Sequence, residues 1–149
     1  MKMKDITYDI INCAYEVHNY LGPGLLESVY HKALIYELKS RGYEVESEIP
    51  IDIEYKGVNV GKNLRIDILV NEGIILELKS VENVLPVHKK QLLTYLRLLN
   101  IQVGLLINFN VSILKEGITR IVNNFVEWYS DKITYKKILR SFASLREKT

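Results

Sequence analysis

The chain has 149 residues, 48% of them hydrophobic and 26% charged, with a formal net charge of +2. This is the composition of one ordinary globular domain with a sizeable core. A single cysteine, Cys13, excludes an internal disulfide framework or a cysteine-based zinc site and fits a reducing cytosol. The polar N-terminus does not read as a signal peptide, and the apolar runs are too short to span a bilayer.

Ile6, Ile10, Ala14, Val17 and Leu21 recur at helical spacing and predict an amphipathic helix over 4–20. Gly22-Pro23-Gly24 breaks it. A second helix is expected at about 25–41, with Leu26, Val29, Tyr30, Ala33, Leu34 and Leu38 on its apolar face and Arg41-Gly42 at its end. Strands follow at 43–48 and 49–55, a turn at Lys56-Gly57, then strands at 64–70 and 74–79 joined by Asn71-Glu72-Gly73. Pro86 opens a helix over 86–99 and Asn100 closes it. Residues 102–108 hold Val-Gly-Leu-Leu-Ile, an apolar run suited to a buried strand. Strand, helix, strand from 74 to 108 implies a parallel pair with a right-handed crossover. A short strand near 118–123 and a helix near 132–147 complete one α/β domain. Residues 131–149 hold six Lys/Arg against two Asp/Glu, a local +4 that suits a polyanionic partner or simply a solvated basic helix face.

The 64–79 hairpin carries the chemistry. If Val70 faces Ile74, then Ile66, Ile68, Val70, Ile74, Leu76 and Leu78 share one apolar face that must pack on a core. Arg65, Asp67, Leu69, Ile75, Glu77 and Lys79 share the other. Asp67 then faces Glu77, and Arg65 faces Lys79. Like charges opposed in a sheet repel. A divalent cation between the two carboxylates removes that repulsion, and Mg²⁺ accepts two carboxylates with water in its other positions. Lys79, two residues past Glu77, points to the same side and can orient or deprotonate a water. A solvated outer face bearing a mixed ion-pair cluster suits the same residues equally well.

Two further groups lie within reach. His88, Gln91 and Tyr95 share one face of the 86–99 helix, which directly follows the Glu77/Lys79 strand. Gln91 and Tyr95 can position a phosphate or Lys79. Glu27 opens the second helix, with Tyr30 and His31 nearby, and can add a third carboxylate, although the helix dipole alone favours an acid there.

Gly24-Leu25-Leu26-Glu27-Ser28-Val29-Tyr30 resembles the pattern that names the GxxExxY family. The flanking Val17-His18, Leu21-Gly22-Pro23-Gly24, Arg65-Ile66-Asp67, Glu77-Leu78-Lys79, Leu85-Pro86-Val87-His88, Gln91-Leu92-Leu93-Thr94-Tyr95 and Val103–Phe109 fit it as well, over roughly residues 5–125. That family is similar to the PD-(D/E)XK nucleases. The resemblance implies a mixed central sheet flanked by helices, a nuclease-like domain over 1–125; the basic helical extension expected over 126–149 lies outside the resemblance. It implies Asp67, Glu77 and the main-chain carbonyl of Leu78 as ligands of Mg²⁺ (or Mn²⁺), with Glu27 assisting. It makes Lys79 the group that activates water, supported by Gln91 and Tyr95. Arg65, Tyr30, His88 and Lys89 are the expected substrate contacts. Ile66 stands where the superfamily's eponymous proline would be.

The function expected is therefore a metal-dependent phosphodiesterase acting on DNA, less readily on RNA, in the cytoplasm and away from membranes. The alternatives are a catalytically silent nuclease-like module that binds nucleic acid or a protein, and an accessory protein that dimerises through its first or last helix.

Overall fold

The computed structural model describes residues 2–123. Its elements are α1 (Met3–Leu21), α2 (Glu27–Ser40), β1 (Val45–Tyr55), β2 (Val58–Val70), β3 (Ile74–Lys79), α3 (Pro86–Leu99), β4 (Val103–Asn108), a 3-10 turn (Leu114–Gly117) and β5 (Ile118–Val122). The helix expected over 132–147 and the domain boundary expected at residue 125 lie outside the described residues.

The five strands form one sheet in the order β1-β2-β3-β4-β5. Among the described residues only β3 and β4 are parallel; the other neighbours run antiparallel. The parallel pair is the one that α3 connects, as the strand-helix-strand order requires. Helices α1 and α2 cover one face. Ile10, Cys13, Ala14 and Val17 from α1, and Tyr30, Leu34 and Leu38 from α2, pack there on Ile68, Val70, Ile74, Leu76, Leu78 and Leu105. Helix α3 covers the other face, with Leu92, Tyr95, Leu96 and Leu99 against Leu69, Ile75 and Leu106. Every residue of β4 is buried, in keeping with its unbroken apolar run. Gly104 lets α3 come close, since a Cβ there would lie 3.0 Å from the Leu92 side chain.

Several expectations change. Residues 43–55 hold one strand rather than two, and β2 begins at Val58, so β1 and β2 form a long ribbon around the Lys56-Gly57 turn. Helix α2 starts at Glu27, which leaves Leu26 at 75% exposure instead of on the apolar face. Ile66 joins the core beneath α3, away from Ile68 and Val70. The reason is local. Glu48 takes a left-handed backbone (φ 51°), and the Glu48–Asp67 pair is missing from a register that otherwise runs unbroken from the Val45–Val70 pair to the Ile51–Leu64 pair. The ribbon rolls there, so Ile49 and Ile66 face the opposite way from Ser47 and Ile68.

Candidate active site

The β2–β3 ladder has the expected register: Val70 pairs with Ile74, Leu69 with Ile75 and Ile68 with Leu76. It then stops. The expected cross-strand pairing of Arg65 with Lys79 does not occur, because past Ile68 strand β2 pairs only with β1 and past Leu76 strand β3 pairs only with β4. Side chains take over where the ladder ends. The Asp67 N–H donates to Oε1 of Glu77 at 3.3 Å, and the Leu78 N–H donates to Oδ2 of Asp67 at 2.8 Å. Each carboxylate thus caps a main-chain group that the ladder has released.

Glu77 is only 8% exposed, on a face that α3 covers rather than solvent. Burial first, and the neighbouring Asp67 second, push its carboxyl up to about 9. The Asp67 N–H that Glu77 accepts and, after it, Lys79 pull the other way, with the Asp67 side chain again favouring the protonated form. A solvated ion-pair cluster would leave no such group. Glu27 is raised as well, by burial and then by Asp67, with Lys79 and His31 opposing, so it lies in the same field. The Tyr95 phenol is raised by burial, then Glu77, then Asp67, with a side-chain hydrogen bond to Gln91 opposing. Three elements therefore converge: Asp67 from β2, Glu77 and Lys79 from β3, Tyr95 and Gln91 from α3. Glu27 approaches from the start of α2. A cleft of about 380 Å³ opens beside them, lined by Glu27, His31, Glu48, Arg65 and Asp67 among others.

Leu78 contributes its backbone. The Lys79 carbonyl accepts from the Phe109 N–H at 2.9 Å, on the β4 side. Alternation along the strand turns the Leu78 carbonyl the other way, toward the gap beside Asp67.

Other expected residues have different jobs. Tyr30 is fully buried and stacks on Phe109 with ring centroids 4.5 Å apart. Its hydroxyl donates to the Gly22 carbonyl at 2.5 Å and accepts from the Leu25 N–H at 3.1 Å. It anchors the Gly-Pro-Gly loop and cannot reach a substrate. His88 accepts the Leu85 N–H on Nδ1 at 3.1 Å, so it caps the start of α3. Lys89 is exposed on the first turn of α3 and takes no part in lining the cleft. Four residues at the cleft were not expected as site residues: Ser28, His31, Lys32 and Glu48. His31 contacts the Asp67 carbonyl, and Glu48 lines the cleft from the point where the ribbon rolls.

The donor chemistry fits a hard divalent cation. Two adjacent carboxylates, one desolvated and protonated for want of a counter-charge, are oxygen ligands of the kind Mg²⁺ and Mn²⁺ take. Among the described residues no group of three His, Cys, Asp or Glu side chains is close enough to form a complete cage. Water and substrate oxygens would complete the coordination, which Mg²⁺ tolerates.

A family model for the PD-(D/E)XK nuclease superfamily matches residues 4–121. The chain belongs to the PD-(D/E)XK nuclease superfamily. No curated protein matches it in sequence. Among solved structures, the crystal structure of SSO0001 is similar, at 25% identity and a TM-score of 0.45, over 79% of this chain and 57% of that one. This chain spans little more than half the length of that protein. Superfamily membership makes the mixed sheet with flanking helices a nuclease-type fold, whose usual activity is hydrolysis of nucleic acid. No helix among the described residues is long and apolar enough to cross a membrane.

Proposed function

We propose that this chain is a Mg²⁺- or Mn²⁺-dependent phosphodiesterase of the GxxExxY branch that cuts DNA in the cytoplasm. The observation that carries the reading is Glu77, a carboxyl buried against a second carboxyl and raised to about 9. Such a pair costs stability in the folded protein and is recovered only by a cation or a proton. Asp67, Glu77 and the Leu78 carbonyl would hold the metal, with Glu27 assisting from α2. The bound ion would neutralise charge on the scissile phosphate and make water more acidic. Lys79 orients the attacking water and stabilises the charge that develops at the phosphate. Tyr95, hydrogen-bonded to the Gln91 side chain, stands on the α3 side close enough to feel the charges of Glu77 and Asp67, and the pair would help to hold a substrate phosphate or Lys79. Arg65, exposed at the cleft, contacts a backbone phosphate, so binding weakens as salt rises. A silent binding module has less support, because binding a polyanion gives no use to a buried acidic pair.

The test is cleavage of linear and circular DNA, and of RNA, by the purified protein with Mg²⁺, Mn²⁺ or chelator, beside Asp67→Asn and Lys79→Ala. Metal-dependent DNA cleavage that both variants lose is the expected result. DNA binding that survives chelation, with no cleavage in either metal, would sink the enzymatic reading.

A further inference from the structure

Asp67 is unusual for a residue in the middle of a sheet. The ladder on its β1 side skips the Glu48 pair, and the ladder on its β3 side has already ended. Its N–H is satisfied by a side chain, Oε1 of Glu77. Its C=O is satisfied by another, Nε2 of His31 at 3.1 Å. A carbonyl can only accept, so Nε2 carries the proton. Both main-chain groups of the residue that presents the first carboxylate are therefore held from outside the ladder. His31 is one helical turn past Glu27 on α2, so the two share a face and line one cleft. It is half-buried there.

We propose that His31 is a positioning residue, whose Nε2–H clamps the Asp67 carbonyl and so keeps the Asp67 carboxylate aimed at the metal position with Glu27 held beside it. This rests on the metal-dependent reading above. Without the clamp, the Asp67 carbonyl has lost its side-chain donor, and its simplest remedy is to return toward a strand N–H. That rotates the carboxylate out of place. A residue that touches neither metal nor substrate thereby sets the affinity of the site.

The test is Mn²⁺ binding by calorimetry to the full chain, with thermal melts, for wild type, His31→Leu, His31→Gln and Glu77→Gln. Leu keeps bulk without a donor, and the Gln amide nitrogen overlies Nε2 and can donate. His31→Leu should bind Mn²⁺ about tenfold more weakly, the usual cost of removing a group that orients a ligand. His31→Gln should bind close to wild type, and Glu77→Gln should not bind. A merely structural histidine would lower the melting midpoint without this split between Leu and Gln. If His31→Leu binds like wild type while Glu77→Gln does not bind, the clamp is wrong and the metal site stands. Equal weakening in Leu and Gln also overturns the clamp. If wild type binds no Mn²⁺, the clamp falls, and the metal-dependent reading is decided by the cleavage assay.

Discussion

Replacing Glu77 by Gln should stabilise the metal-free protein. The Glu77 carboxyl is 8% exposed and raised from 4.5 to about 9 by burial and by Asp67. Between those two pH values the unfolded chain has lost a proton that the folded chain keeps, so stability falls as pH rises. Below 4.5 both states are protonated and the penalty vanishes. Each unit of difference corresponds to about 1.4 kcal/mol, which puts a ceiling of about 6 kcal/mol on the effect at alkaline pH. Relaxation around Asp67 and Lys79 reduces this, and about 2–3 kcal/mol at pH 8 is expected. The Gln amide still accepts from the Asp67 N–H and can also donate to the Asp67 carboxylate. For a chain of this size the gain corresponds to a melting midpoint about 5–10 °C higher. Thermal melts in chelator from pH 4 to pH 9 would read it, as a gap between variant and wild type that opens with rising pH. Saturating Mg²⁺ should reverse the order, because only wild type gains the binding free energy. A variant less stable than wild type at pH 8 in chelator, or a gap that ignores pH, would refute the idea of a repelling buried pair.

Lys79→Ala should lower DNA cleavage by about 10²–10⁴-fold with Mn²⁺ affinity retained, as single-turnover rates beside calorimetry would show. Metal affinity itself should climb as pH rises toward about 9 and level off above it, by up to about tenfold per unit, because the cation displaces the proton on Glu77. Calorimetry in buffers of different ionisation enthalpy would count that proton, and release of none would contradict the assignment. Tyr30→Phe should cost about 1–2 kcal/mol of stability, since the Gly22 carbonyl and the Leu25 N–H both lose their partner, while leaving Mn²⁺ affinity unchanged. A loss of Mn²⁺ affinity in Tyr30→Phe without loss of stability would return Tyr30 to the site.

The central strands and their register were readable because hydrophobic alternation and a three-residue turn leave one solution. Val70–Ile74, Leu69–Ile75 and Ile68–Leu76 follow from the turn alone. The continuous run of β4 and the helix between β3 and β4 similarly dictate a parallel, doubly covered strand. What pairing arithmetic could not supply was the point at which the ladder ends. It assumed that main-chain N–H groups bond main-chain carbonyls, whereas side-chain carboxyl oxygens, of Glu77 and of Asp67, take the N–H of Asp67 and of Leu78.

The conflict was nonetheless visible in the residues. Extending the register sets Asp67 against Glu77 and Arg65 against Lys79, two repulsive pairs side by side, and a regular ladder has no reason to carry them. Read as a warning, that clash marks where the strands must part, and parted strands are what leave backbone groups in need of donors and acceptors from elsewhere. The residues of and beside the Gly24–Tyr30 motif differ in depth. Tyr30 falls on the apolar side of α2 with Leu34 and Leu38, so its hydroxyl can only turn back to the adjacent loop. Glu27 and His31, one turn apart, lie at the N-terminal end of the helix beside Tyr30 and meet β2 at the cleft. Helical spacing was sufficient to pair His31 with Glu27. Its bond to the Asp67 carbonyl was not foreseeable, because that carbonyl becomes free only once the ladder on both sides of Asp67 has been given up.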